Sequence, residues 1–67
     1  MKAYSILVGK CYRTSSGEVR EASSNVDEEI TYTAYENGGG QSKVPGQRVP
    51  LERFAREAEG EVSCPQP

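Results

Sequence analysis

Hydrophobic and polar residues alternate most regularly over residues 29–36, which read EITYTAYE. In an extended chain, Ile30, Tyr32 and Ala34 fall on one side, and the threonines and Tyr35 fall on the other. The pattern predicts a strand whose Ile30 side packs into the core. Tyr35 is then expected to point outward or toward a partner.

Weaker alternations flank this strand. Residues 4–14 predict a first strand that ends at the turn Ser15-Ser16-Gly17. Residues 18–23 predict a second strand, followed by a turn near Asp27-Glu28. Beyond a glycine-rich segment, residues 47–49 predict a short last strand.

At Pro50 the spacing of the apolar residues changes from every second residue, as in a strand, to the spacing of a helix. Apolar residues then recur at offsets of three, four, seven and eleven, along one side of a helix: Leu51, Phe54, Ala55, Ala58 and Val62. We predict a helix over residues 51–60 that starts at Pro50 and stops at Gly60. The expected fold is mainly β, a small, partly open barrel of about four to five antiparallel strands with a C-terminal helix covering its open side. Residues 1–62 form one domain in this prediction, and residues 63–67 form a flexible tail.

Charge and size narrow the functional classes. The 67 residues carry eight basic and ten acidic side chains, for a net charge of −2. Residues 1–50 are balanced with six of each, whereas residues 51–67 carry two basic and four acidic residues. This balance opposes nonspecific binding to nucleic acid, which needs a concentrated basic surface. So short a chain has little room for an enclosed active site and gains burial by pairing with a partner or a second copy.

The chain offers few residues for catalysis or metal binding. It contains no histidine, so Cys11 lacks its usual base and the serines lack a triad partner. Two cysteines are too few for a four-ligand zinc site unless two chains share the ion. The run Asp27-Glu28-Glu29 beside a turn indicates solvated acids rather than a cation site. We therefore predict no catalytic residues, no cofactor and no metal.

The hydropathy of the amino-terminal region predicts the compartment. Only three consecutive apolar residues, Ile6 to Val8, occur there, too few for a signal peptide or a membrane span. A cytoplasmic protein without membrane association is expected. Cys11 and Cys64 are then expected to be reduced, with Cys11 an unreactive thiol that is either packed or semi-exposed.

Residues 36–47 read ENGGGQSKVPGQ and invite comparison with a phosphate-binding loop. Such a loop needs Gly-Lys-Ser/Thr leading into a helix, whereas here Lys43 follows Ser42 and precedes Val44-Pro45-Gly46. The proline and glycine would stop the helix that has to hold the anion. The segment is predicted to be a mobile connection between the third and fourth strands.

Three segments together resemble a group of short bacterial proteins. They are VGKCYRTSSGEVREA (8–22), ITYTAYE (30–36) and PLERFAREAEGEV (50–62). The resemblance implies an SH3-like barrel of the kind found in bacterial genomes, phages and mobile gene cassettes, and it implies no activity. Many of those proteins place a tryptophan near the central loop, and this chain has none, so a shared binding surface around that loop does not carry over.

The remaining candidate is an interaction surface, since tyrosines give large contact areas at low entropic cost and four tyrosines are too many for so small a core. The predicted surface consists of Lys10, Tyr12, Arg13, Arg20, Tyr35, Lys43 and Arg48. The leading hypothesis is a noncatalytic module that binds an unknown protein partner or forms a homo-oligomer. The first alternative is a nucleic-acid-binding barrel that uses the basic members of this set, and the second is an oligomeric enzyme with a shared pore.

Overall fold

The computed structural model describes residues 1–36 and 43–65, which form one unclosed, five-stranded antiparallel sheet and one α-helix. A 3₁₀ turn at Ala3–Ser5 precedes the sheet. The elements that follow are β1 (Cys11–Thr14), β2 (Val19–Val26), β3 (Glu29–Tyr35), β4 (Lys43–Pro50), α1 (Leu51–Glu57) and β5 (Ala58–Val62). The spatial order is β4-β3-β2-β1-β5, so β1 lies between β2 and β5. The predicted class, mainly β with about four to five antiparallel strands and a C-terminal helix, is confirmed.

The core lies between the inner face of the sheet and α1. Ile30, Tyr32 and Ala34 are buried there, as the alternation in β3 predicted. The ring of Phe54 on α1 meets the rings of Tyr12 and Tyr32 edge-on, with centroids 5.8 and 5.5 Å apart. Edge-to-face packing of this kind adds to the burial of apolar area.

The hairpin between β2 and β3 turns at Asp27 and Glu28. Both residues have positive φ, 53° and 59°, which matches the twist of the flanking strands in a two-residue hairpin. Asp27, Glu28 and Glu29 are all exposed, in agreement with the predicted solvated acids.

The helix is shorter than predicted, ending at Glu57 instead of residue 60. Ala58 is extended, with φ −76° and ψ 129°, and begins β5. Pairing of β5 with β1, which sets Gly60 opposite Arg13, satisfies the backbone groups that a longer helix would have satisfied. The apolar spacing of a helix extends to Ala58 in the sequence because this residue is buried in β5, as it would also be in a longer helix.

Two strand predictions are also wrong at their boundaries. Residues 4–10 do not form a strand, because the chain makes the 3₁₀ turn and then a second turn in which Gly9 has φ 92°. At the other edge, β4 spans residues 43–50 rather than 47–49. Opposite Tyr32 and Ala34 of β3, β4 carries one extra residue around Pro45, which makes a bulge on β4. Residues 37–42, the centre of the predicted glycine-rich connection, lie outside the described residues.

Candidate functional site: the outer face of the sheet

The face of the sheet opposite Ile30 and Tyr32, here called the outer face, carries a row of residues from four adjacent strands. In the register, Arg13 lies opposite Val19, Val19 opposite Tyr35, and Tyr35 opposite Lys43. Residues paired across antiparallel strands share a face. We call these residues the outer row: Arg13, Val19, Tyr35 and Lys43.

The outer row combines two cations with an aromatic ring around a buried centre. Val19 is buried, Tyr35 is half-buried, and Arg13 and Lys43 are exposed. Arg13 approaches Glu59 with a 3.7 Å nitrogen–oxygen distance, and both side chains are about half exposed. Exposed pairs of this kind contribute little stability, so a partner's carboxylate can replace Glu59 at small cost.

Tyr35 is fixed in place by a carboxylate on the same face. Its hydroxyl donates a hydrogen bond to Glu21 Oε1 at 2.9 Å. This hydrogen bond, together with partial burial, raises the pKa of Tyr35 above its usual 10.0. Tyr35 therefore stays protonated at neutral pH and presents an oriented ring.

Arg48 joins the outer face at some distance from this row. It lies opposite Thr31 on β3. Thr31 and Tyr35 are four residues apart in the same strand, so both lie on the outer face. Its guanidinium is 4.0 Å from Glu29, and both side chains are largely exposed. Lys10 is exposed just before β1.

The other two predicted surface residues do not belong to the surface. Tyr12 has no exposed area, because it faces the core and touches Phe54. Its hydroxyl accepts the Leu7 N–H at 2.7 Å and donates to the Ser5 carbonyl at 3.2 Å, which holds the amino-terminal segment against the barrel. Including Tyr12 in a contact surface was therefore wrong.

Arg20 lies on the inner face of the sheet, opposite Ala34, and its side chain is mostly buried. Its guanidinium carbon lies 4.7 Å from the centre of the Tyr32 ring, and it forms ion pairs with Glu18 and Glu57. Burial alone would lower the pKa of Arg20, but the hydrogen bonds to Glu57 and Glu18 outweigh it and the net pKa is raised. The same contact with Arg20, aided by Arg53, lowers the pKa of Glu57. Arg20 is consequently occupied within the fold and is not offered to a partner.

The cysteines are bonded to each other, which corrects the prediction of reduced thiols. Cys11 and Cys64 form a disulfide with their Cα atoms 5.2 Å apart. The unforeseen strand β5 explains the pairing, because Val62 lies opposite Cys11 and brings the chain end back beside β1. Cys64 is thus anchored, although the tail had been predicted to be flexible.

An open cleft of about 430 Å³ lies beside the disulfide. Its walls come from the turn before β1 and from the end of β5, and they include Lys10, Glu61, Val62 and both cysteines. The turn itself exposes Leu7 and Val8, each by about half, and Tyr4 nearby is 81% exposed. No pattern in the sequence indicates this cleft, because its walls depend on the pairing of β5 with β1.

Comparisons with protein-family models, curated proteins and solved structures found no match to this chain. The resemblance to SH3-like bacterial proteins accordingly stays a prediction. Within the described residues, none of the helical segments has the length and apolar character needed to cross a membrane.

Proposed function

We propose that the protein is a noncatalytic interaction module that binds a protein surface, of another chain or of a second copy, through the outer row. The proposal rests on one observation: the strand register gathers Arg13, Tyr35 and Lys43 into a single row on the face opposite the core. Tyrosine and arginine are enriched where proteins meet, and two cations beside an aromatic ring suit a partner that presents carboxylates.

A protein partner is favoured over nucleic acid by the surroundings of the cations. Arg20 is withdrawn into ion pairs with Glu18 and Glu57. On the outer face, Glu59 lies near Arg13 and Glu29 near Arg48, so the basic side chains are interspersed with acids. A phosphate backbone needs a continuous run of positive charge, which this pattern weakens.

Affinity capture from an extract of the native cell tests the proposal with two matched variants. The double variant Arg13→Glu/Lys43→Glu reverses both cations of the outer row, whereas Lys2→Glu/Arg56→Glu reverses two exposed cations elsewhere. We expect wild type and the second variant to retain the same protein, and the outer-row variant to lose it. Retention must survive nuclease treatment and then be reproduced with the purified partner.

Two results contradict the proposal. Equal retention by all three proteins would show that the outer row does not bind, and nuclease-sensitive, steeply salt-dependent retention would favour nucleic acid. Sedimentation at high protein concentration tests self-association. If the wild type forms a dimer and the outer-row variant does not, the homo-oligomer is supported. A strict monomer excludes that form of the proposal and also the shared-pore enzyme.

A cytoplasmic location forms part of this proposal. Disulfides in the cytoplasm are rare and usually transient. The Cys11–Cys64 bond would therefore alternate there between the disulfide and the dithiol. Alkylating the free thiols in intact native cells before lysis measures the reduced fraction, and a fully oxidised pool would contradict a cytoplasmic location.

A further inference from the structure

Three potential metal ligands meet on the outer face beside the cleft. The sulfur atoms of Cys11 and Cys64 and a carboxylate oxygen of Glu21 all lie within 4.8 Å of one another. The fold produces this cluster through two registers: Cys11 lies opposite Glu21 on β2 and opposite Val62 on β5, two residues before Cys64. Sequence spacing alone does not bring Glu21 to the cysteines.

We propose that reduction of the Cys11–Cys64 disulfide turns this cluster into a binding site for a thiophilic divalent cation, with Zn²⁺ as the representative ion. The ligands are both cysteine sulfurs and one oxygen of Glu21. Zn²⁺ takes thiolate and carboxylate ligands together, and sites with three protein ligands keep a fourth position for water. The prediction of no metal rested on a four-ligand zinc site and on the run Asp27-Glu28-Glu29, and it did not consider Glu21 together with the cysteines.

The reductant is a dithiol. One of its thiolates attacks Cys64 Sγ, which lines the cleft, and the S–S bond breaks with Cys11 leaving as a thiolate. The second thiol of the reductant then displaces Cys64 and closes a disulfide within the reductant. Two electrons pass from the dithiol to the protein, and any proton taken up by the cysteines is released when Zn²⁺ binds.

The geometry needs only small movements. Zn–S bonds of about 2.3 Å and tetrahedral angles place the two sulfurs about 3.8 Å apart, which rotation of the Cys64 side chain can supply once the bond is broken. A zinc-bound carboxylate oxygen lies about 3.6 Å from each sulfur by the same geometry. The Glu21 oxygen lies within 4.8 Å of both sulfurs in the present structure, so it has to approach each of them by no more than about 1.2 Å.

Tyr35 supports Glu21 as a ligand. Its hydroxyl donates to Oε1 of Glu21 at 2.9 Å, which orients the carboxylate and leaves the other oxygen free for the ion. Outer hydrogen bonds of this kind commonly fix metal-binding carboxylates, and their loss costs roughly 10- to 100-fold in affinity. The open cleft provides the path by which the ion enters.

The test uses Co²⁺ as a spectroscopic probe and Zn²⁺ as its competitor, with the full chain kept reduced by a phosphine. The reduced wild type is expected to show a thiolate-to-cobalt charge-transfer band and the visible bands of tetrahedral Co²⁺, both removed by Zn²⁺. The oxidised protein and Cys64→Ser should show neither. Glu21→Gln should weaken Co²⁺ binding at least tenfold, and Tyr35→Phe should weaken it by roughly 10- to 100-fold.

Glu61→Gln is the matched control, because Glu61 lines the same cleft but is not within the three-residue cluster. It removes the same charge and should leave the affinity within about twofold of wild type. If Glu21→Gln and Glu61→Gln have equal effects, or if reduced wild type binds Co²⁺ no better than Cys64→Ser, the proposal is overturned.

Folding of the reduced chain is followed separately by amide NMR spectra. A reduced chain that stays folded should gain thermal stability from Zn²⁺, whereas the oxidised chain should gain none. A reduced chain that unfolds should refold when Zn²⁺ is added. Absence of both responses with Zn²⁺ in excess also overturns the proposal.

Discussion

The inner and outer faces of the sheet each carry an arginine and a tyrosine, in very different surroundings. On the inner face, Arg20 is 14% exposed, lies over the Tyr32 ring and pairs with two carboxylates. On the outer face, Arg13 is 56% exposed and has a single long contact with Glu59. Residue type alone therefore does not assign a role: the inner pair packs within the fold, whereas the outer pair lies on the face that we propose contacts a partner.

The largest expected effect is on the inner face. Phe54→Ala should destabilise the protein by about 3–5 kcal/mol, because Phe54 is fully buried between two aromatic rings. That loss approaches the whole stability of a small domain. Tyr35→Ala on the outer face should cost at most about 1 kcal/mol. Urea unfolding measures the loss of unfolding free energy in both variants. Equal losses would contradict the assignment of Phe54 to the core and Tyr35 to the surface.

The second largest effect is expected from the disulfide, through which Cys11 on the outer face is joined to the chain end. Cys64→Ser removes a crosslink between residues 53 positions apart, which should cost about 2–4 kcal/mol through the greater freedom of the unfolded chain. Wild type with a phosphine reductant and no metal should unfold at the same urea concentration as the variant. If the variant is as stable as the oxidised wild type, the disulfide has no structural role.

The two arginines provide the most direct comparison. Arg20→Met should cost about 1–3 kcal/mol, since it leaves Glu18 without its cation and Glu57 with Arg53 alone in a partly buried site. Arg13→Met should change stability by no more than about 0.5 kcal/mol. Equal values for the two variants would contradict the assignment of Arg20 to the fold and Arg13 to the surface.

The smallest effect is a dependence on acid. The folded-state pKa of Glu57 lies below its unfolded value, so its ion pair stabilises the protein above the unfolded pKa, near 4.5. This contribution, below about 1 kcal/mol because Glu57 is partly exposed, is lost as the pH falls through the lower folded pKa. The unfolding free energy of wild type should therefore drop more steeply below pH 4.5 than that of Glu57→Gln. If the unfolding free energy depends on pH equally in both proteins, groups other than Glu57 cause the loss of stability in acid.

The sequence predictions succeeded where the conformation of a segment is set by its own residues, and they failed where distant segments set it. Alternation in β3 correctly assigned Ile30, Tyr32 and Ala34 to the core, and the spacing of Phe54 and Ala55 correctly placed their side of the helix inward. The alternation of Tyr4, Ile6 and Val8 misled, because the hydroxyl of Tyr12 and the turn at Gly9 hold that segment in another conformation. Ala58 misled in a similar way, since pairing with β1 decided its conformation.

The candidate site was predicted only in part. Of the residues predicted for the interaction surface, Arg13, Tyr35, Lys43 and Arg48 lie on the outer face, whereas Tyr12 and Arg20 face inward. The sequence offered no basis for separating them, because Tyr12 and Arg13 are neighbours in a strand of uncertain register. A shift of one residue exchanges the two faces.

By itself, the sequence determined the class of the protein: a mainly extended chain with one helix that contains Phe54, a net charge of −2 and no histidine. These properties follow from residue identity and short-range periodicity, which any fold of this chain must accommodate. Only the tertiary structure decided which side of β1 faces the core, that residues 58–62 form a strand, and that Cys11, Glu21 and Cys64 meet. Those outcomes depend on hydrogen bonds between strands far apart in the chain, and no local pattern encodes them.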